Sequence, residues 1–203
     1  MSLMLGPIHT WLFRKIKLQN ELVDNIIAKS IELKYIEDDF KDMIDRRYGV
    51  LEDGDLADIC DSSNIHGWLQ SRITLVENRL AFTVTFITDG NEDRITDITG
   101  VAYDFGKRYP KEKLEKVDDA YKFLGDVLVN GMPCDRVNSV VSSDDNSILW
   151  EQTVDIHGPY WECISGNMEF YEAIKEALII GLLEETDFTF EKVNDNLYEL
   201  RRK

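Results

Sequence analysis

Cysteine is scarce in this chain, and its spacing excludes the two structures that cysteines most often build. The three residues, Cys60, Cys134 and Cys163, are odd in number and include no CxxC pair. A disulfide framework needs paired cysteines, and a thiolate zinc site needs closely spaced ones. The sequence therefore predicts reduced thiols and, with them, a cytoplasmic location.

Long hydrophobic runs are also missing. The longest apolar stretch, 177–183, is far shorter than the ~20 residues that a membrane-spanning helix requires. The first five residues are mostly apolar, but no basic segment precedes a continuous apolar one, as it does in a secretory signal. We therefore expect neither membrane insertion nor export.

Basic residues are outnumbered: 39 acidic side chains stand against 23 basic ones, which leaves a formal charge of −16. Such a field repels phosphate backbones, so nucleic acid is not an expected partner. The sequence also has no GxSxG, P-loop or dinucleotide-binding fingerprint. These absences remove several large enzyme classes, but whether the protein is an enzyme stays open.

What the sequence does contain is a hydrophobic periodicity that changes along the chain. A length of 203 residues and a hydrophobic content of 43% suit one domain spanning 1–203. Apolar residues recur at helical spacing over about 6–130, and strand patterns dominate about 137–203. We predict an α+β fold in which the helical N-terminal two-thirds pack on a C-terminal antiparallel sheet with one long amphipathic helix.

The predicted elements alternate with polar turns. Residues 49–63 are predicted to form an acidic connector. Residues 79–87 are left open between helix and strand, because their apolar residues fit both periods. Helices are predicted over 8–33, 36–47, 65–78, 95 to just before Pro110, 114–128 and 168–182, and strands over 137–141, 148–156, 188–193 and 197–201.

Two of the histidines lie in a short internal sequence repeat, which we call the echo. The segments 8–18 and 65–75 share six identical positions without a gap, beginning with Ile-His-x-Trp-Leu. The third histidine lies in Ile156-His157-Gly158-Pro159-Tyr160-Trp161. All three histidines thus follow an isoleucine and lie within four residues of a tryptophan.

This pattern predicts one shared pocket if the two helix starts lie side by side and the 148–156 strand ends beside them. A histidine in the first helical turn is near the positive end of the helix dipole, which favours the neutral ring. A neutral imidazole ligates a metal ion or accepts a proton. Three histidines with an open coordination position form a known water-activating metal site.

The candidate site residues follow from this arrangement. The ligand-binding candidates are His9, Trp11, His66, Trp68, His157, Tyr160, Trp161 and Cys163; the metal candidates are His9, His66 and His157, with a divalent transition metal such as zinc; the catalytic candidates are Glu77 and Glu162. A structural alternative also fits the echo: two similar helices with core tryptophans and with histidines bonded to backbone carbonyls.

The C-terminal third carries a resemblance to a known family. Its predicted order is hairpin, connector, amphipathic helix and final hairpin, with Ala177-Leu178-Ile179-Ile180-Gly181-Leu182-Leu183-Glu184-Glu185-Thr186 leading into the strand 188–193 and an Asn194-Asp195-Asn196 turn. This order resembles the closing part of the 4-vinyl reductase and heme nitric-oxide-binding type of small-molecule domain, and it implies a ligand-binding α+β domain. Unlike those domains, the chain has no cysteine near 196–199. The opening Gly6-Pro7-Ile8-His9 resembles an uncharacterised bacterial protein group, which implies no function.

Three functions compete. The leading hypothesis is a small-molecule sensor or binding protein with a histidine- and tryptophan-lined pocket. The second is a metal-dependent hydrolase that uses the three histidines, with Glu77 or Glu162 as general base. The third is a non-catalytic interaction module, such as a homodimer, in which the tryptophans mark the interface.

Overall fold

The computed structural model describes residues 5–203, which form eight α-helices and four strands joined by short connections. The predicted α+β fold class is confirmed. The helices are α1 Pro7–Glu32, α2 Phe40–Tyr48, α3 Leu56–Ile59, α4 Ile65–Thr88, α5 Ile95–Arg108, α6 Val117–Val127, α7 Gly158–Glu162 and α8 Met168–Leu183, and the strands are β1 Asn138–Ser143, β2 Ser147–Gln152, β3 Phe188–Lys192 and β4 Leu197–Arg202.

The four strands form one antiparallel sheet in the order β1-β2-β4-β3. Side chains alternate across it, so that Ile148 and Trp150 of β2 and Tyr198 and Leu200 of β4 are buried on one face. Helices α6 and α8 cover that face. The sheet therefore supplies one wall of the hydrophobic core, and its other face is largely polar.

The two echo segments form a parallel helix pair. His9 of α1 contacts His66 of α4, and ten residues further along α1 Gln19 contacts Glu77 of α4. A nearly constant sequence offset of 57 or 58 along both helices means that they run in the same direction with their N-termini together. Between these contacts, matched leucines and isoleucines of the echo pack in a smaller core, which is formed by Leu12, Phe13, Ile16, Leu56, Leu69, Ile73, Val76, Val129 and Met132.

Helix α4 resolves the segment that periodicity left open. It continues without a break to Thr88, so residues 79–87 are helical. Leu80, Ala81, Val84 and Ile87 are buried there in the main core, which also holds the buried side chains of α8 and of the sheet. The apparent strand alternation arises because a central helix is apolar around most of its circumference.

Two predicted boundaries are corrected. The strand predicted over 148–156 ends at Gln152, because residues after it turn away from β4 toward a bend at 154–157. Gly158 and Pro159, which lie outside the predicted helices, begin the short helix α7, with proline in its first turn. His157 therefore lies at a helix start and not at the end of a strand.

Helices α5 and α8 approach each other unusually closely. A Cβ atom added at Gly106 of α5 would lie 2.4 Å from the Leu178 carbonyl oxygen, and one added at Gly181 of α8 would lie 2.1 Å from the Tyr103 carbonyl oxygen. Only hydrogen at these two positions allows the helix backbones to touch. This crossing fixes α8 in the position from which it covers the sheet.

Candidate functional site

Two of the three histidines meet at the paired helix starts. The Nε2 atoms of His9 and His66 are 3.3 Å apart, and the ring centroids are 5.4 Å apart. His9 Nδ1 also accepts a 3.1 Å hydrogen bond from the backbone N–H of Gly6. His66 is exposed and His9 is partly buried, so this pair faces solvent.

His157 lies in a different environment, with both ring nitrogens bonded inside the core. Its Nδ1 is 3.0 Å from Glu77 Oε2, and its Nε2 is 2.7 Å from the Tyr171 hydroxyl. Gln19 completes the chain by donating its amide N–H to Glu77 Oε1 at 3.0 Å. His157 and Glu77 are each only 1% exposed. Residues of α1, α4 and α8, together with the residue that precedes α7, thus form one buried polar chain, Gln19–Glu77–His157–Tyr171.

The hydrogen bonds of this chain converge on the Glu77 carboxylate. Burial raises the pKa of Tyr171 well above its usual range, and the charge on Glu77 raises it further, so Tyr171 keeps its proton and donates it to His157 Nε2. His157 then donates its Nδ1 proton to Glu77, which accepts from Gln19 as well. The arrangement can hold the Tyr171 hydroxyl in a fixed orientation.

A single three-histidine site is therefore not formed. His157 binds Glu77, which follows His66 by eleven residues on α4, or about 16 Å along the helix axis. Both nitrogens of His157 are occupied by Glu77 and Tyr171. Consistent with this separation, residues 5–203 include no group of three or more histidine, cysteine or carboxylate side chains placed to hold one metal ion.

The other candidate residues are dispersed. Trp161 is fully buried against Tyr171, whereas Trp68 lies half-buried beside Phe13 in the smaller core. Tyr160 is partly buried, and its hydroxyl lies 3.3 Å from Thr74 Oγ1. Glu162 and Cys163 are both exposed at the end of α7. Of the two catalytic candidates, only Glu77 contacts a histidine.

A small apolar cavity adjoins both Gln19 and Tyr171, the two ends of the buried polar chain. Its volume is about 40 Å³, and the polar side chains on its wall are Gln19, Tyr171 and Lys175. We name it the inner cavity; its lining is Leu18, Gln19, Leu22, Leu80, Phe105, Val127, Leu128, Val129, Tyr171, Ile174, Lys175 and Leu178.

A larger aromatic pocket, which we name the indole pocket, opens beside it. Its volume is about 260 Å³, and Trp11, Tyr121 and Trp150 converge on it from α1, α6 and β2. The Trp11 indole N–H donates to Asp126 Oδ1 at 2.6 Å, and the rings of Tyr121 and Trp150 are 5.1 Å apart. The complete lining is Trp11, Tyr121, Lys122, Leu124, Gly125, Asp126, Leu128, Asn130, Asn138 and Trp150.

Leu128 connects the two spaces, and Lys175 lies in the wall of the inner cavity. Leu128 lines both of them and also a third cavity of about 30 Å³, whose wall includes Trp150 and Lys175. The Lys175 ammonium donates to Glu172 Oε1 at 2.8 Å and to the Tyr198 hydroxyl at 3.0 Å. Burial lowers the pKa of Lys175, and the Glu172 carboxylate opposes that shift. A largely buried ammonium therefore lines the inner cavity and the third cavity.

Sequence reasoning missed Tyr171, Lys175 and Trp150. Tyr171 belongs to the regular apolar stripe of α8, where an aromatic residue indicates core packing, and Trp150 alternates inward on a strand. Neither position has a local motif, because the site joins residues that are more than 100 positions apart. One usable signal was present: a lysine at position 175 within the apolar stripe of an amphipathic helix.

In comparisons with known proteins, no family model, no curated protein and no solved structure matches this chain. In the part of the chain that the structure describes, no helix combines the length and the apolar character needed to cross a bilayer.

Proposed function

We propose that this protein binds a small organic molecule in the indole pocket, with part of the ligand directed past Leu128 toward Lys175. The observation that carries the proposal is the convergence of Trp11, Tyr121 and Trp150 on a pocket that shares Leu128 with an apolar cavity, whose wall includes the largely buried ammonium of Lys175. Ligand sites are typically apolar concavities with a small number of placed polar groups. The pocket differs from the one that the sequence predicts, because it contains tryptophan but no histidine.

The volumes determine which part of a ligand goes where. The inner cavity, at about 40 Å³, has room for about three water molecules. The indole pocket is more than six times larger at about 260 Å³. The body of a ligand therefore belongs in the indole pocket, and only a group of a few atoms enters the inner cavity.

The side chains also indicate ligand chemistry. Lys175 has three N–H donors, of which Glu172 and Tyr198 take two, so one donor remains for a ligand acceptor. Stacking against indole and phenol rings favours an aromatic or flat apolar body. The formal charge of −16 disfavours a highly anionic ligand. We therefore propose a neutral or weakly polar aromatic compound with one hydrogen-bond acceptor.

The buried chain supports the binding role by fixing Tyr171. A hydroxyl that is held by His157, which is held in turn by Glu77, keeps one orientation beside the inner cavity. Such preorganisation reduces the entropy lost on binding. The predicted likeness to 4-vinyl reductase and heme nitric-oxide-binding domains also implies ligand binding, and it stays a prediction.

A fragment screen by ligand-observed NMR tests the proposal. We expect hits among aromatic compounds with one acceptor group, and we expect Leu128→Trp to weaken them at least about tenfold, or about 1.4 kcal/mol, because the indole fills the shared wall. Lys175→Met should weaken only the hits that carry an acceptor.

Trp68→Phe is the matched control, because Trp68 lies in the smaller core and outside the indole pocket. It should leave the affinities unchanged. Hits that bind Leu128→Trp as tightly as they bind the wild type, while both proteins are folded by circular dichroism, would exclude this pocket as the ligand site.

A further inference from the structure

The echo around His9 and His66 has no part in the pocket that we propose, yet it places two imidazoles head to head. The two rings come from equivalent positions of α1 and α4, two helices that run parallel and pack through the smaller core. Their Nε2 atoms are 3.3 Å apart, with 5.4 Å between ring centroids and 52° between ring planes.

The distance between these nitrogens fits shared metal coordination as well as a long hydrogen bond. The Nε2 atoms are 3.3 Å apart, which is at the long end of the hydrogen-bond range. Two nitrogens at about 2.05 Å from a tetrahedral zinc ion lie roughly 3.3–3.4 Å apart. The observed separation is therefore that of two ligands on one tetrahedral ion.

We propose that His9 and His66 form a two-histidine site for a divalent transition metal ion such as Zn²⁺ or Ni²⁺, with solvent in the remaining coordination positions. Imidazole is a preferred ligand of these ions. The exposure of the pair allows the ion to enter from solvent, and the negative charge of the whole molecule raises the local cation concentration.

Binding requires one local change. In the metal-free protein, His9 Nδ1 accepts from the Gly6 backbone N–H, so the proton of the neutral ring is on Nε2. Coordination through Nε2 moves that proton to Nδ1 and breaks the bond to Gly6. The paired helix N-termini also oppose a cation. Both costs make the site weaker than a closed structural zinc site, and the metal in it exchangeable.

The expected consequence is a clamp between α1 and α4. An ion that binds only the folded protein raises its unfolding temperature, by roughly 5–10 °C at a hundredfold excess over the dissociation constant in a chain of this size. The clamp joins residues that are 57 positions apart in the sequence.

Isothermal titration calorimetry of the full chain with Zn²⁺ and with Ni²⁺ tests the site. We use a Cys60→Ser, Cys134→Ser, Cys163→Ser background, so that thiols do not bind the ions. The expected result is one ion per chain, with an affinity that falls at least about tenfold, or about 1.4 kcal/mol, in His66→Ala. His66 is exposed, so this variant should have the unfolding temperature of its parent in the absence of metal.

A second variant, His9→Ala, should lose the binding and the thermal shift together. Absence of binding in the parent up to millimolar metal would overturn the proposal and leave the pair as a weak hydrogen bond. Binding of equal affinity in the parent and in both histidine variants would also overturn it, since the ion would then lie elsewhere.

Discussion

At the scale of single residues, the most informative feature is a buried polar chain that no local motif announces. The sequence indicates Glu77 as a catalytic candidate and His157 as a ligand-binding candidate. It does not predict that they contact each other, because they are 80 positions apart. Most charged and polar side-chain atoms that are this deeply buried in proteins have a hydrogen-bond partner. Tyr171, hidden in the stripe of α8, supplies the third member.

Tyr171→Phe tests the value of that chain. The substitution keeps the ring and removes the hydroxyl, so His157 Nε2 loses its buried partner, which costs about 1–3 kcal/mol. Urea denaturation should report this loss in the free energy of unfolding. Tyr160→Phe is the control, since that hydroxyl makes only a 3.3 Å contact with Thr74, and its effect should stay within about 0.5 kcal/mol. Equal effects of the two substitutions would contradict the proposed role of Tyr171.

Lys15 gives a prediction for how the stability of the protein depends on pH. It is 3% exposed, donates to the Gly125 carbonyl at 3.0 Å and lies 3.9 Å above the Trp11 ring. Burial lowers its pKa from 10.5 to about 8, and the Asp126 carboxylate opposes the shift. The unfolded chain therefore binds this proton more tightly than the folded one does. The resulting cost to stability is full below pH 8 and fades as the pH rises toward 10.5.

Relative to a Lys15→Met variant, the wild type should become more stable by about 2 kcal/mol between pH 8 and pH 10. Chemical denaturation of both proteins at each pH measures the difference. The comparison between the two removes the contribution of tyrosines that titrate in the same range. A difference that is constant with pH would show that Lys15 has an ordinary pKa in the folded protein.

At the scale of elements, hydrophobic periodicity located most helices and strands. It could not distinguish a helix from a strand where the element is apolar on all sides. The strand-like alternation in 79–87 belongs to the buried end of α4, and a pattern with no polar face contains no phase information. The echo was more useful: matching sequence produced matching, adjacent helix starts. The echo did not reveal that His157 lies apart from the His9–His66 pair, because tertiary contacts position His157.

The close crossing of α5 and α8 predicts opposite effects on stability when two glycines of α5 are replaced. Gly106→Ala should destabilise the protein by about 1–3 kcal/mol, because the new Cβ would lie 2.4 Å from a backbone carbonyl of α8. Gly100→Ala, on the same helix, meets no atom within 4 Å and should stabilise by about 0.5–1 kcal/mol. Thermal unfolding of both variants measures the two shifts. Shifts of the same sign would mean that the helices are not in backbone contact.

At the scale of the whole molecule, composition and pattern predict the fold class, whereas the tertiary arrangement of the elements determines the site. An α+β arrangement follows from where helical periodicity ends and strand alternation begins. The indole pocket instead depends on how α1, α6 and β2 are placed in space, and sequence spacing contains none of that information.

Helices α1 and α4 each pass through both cores, so the two cores are mechanically joined. The smaller core buries fewer side chains, and we expect it to open first. Hydrogen exchange should then be faster for the amides of 69–76 than for those of 80–87 on the same helix. Uniform protection along α4 would instead indicate that both cores open together.

The most direct test of the central claim is a methyl NMR titration of the wild-type protein with the tightest hit from the fragment screen. If the ligand binds in the indole pocket and the inner cavity, we expect the largest chemical-shift changes at the methyl groups of Leu128, Val127 and Ile174, which line these spaces. The largest changes at Leu12, Leu69 or Ile73 of the smaller core would contradict it.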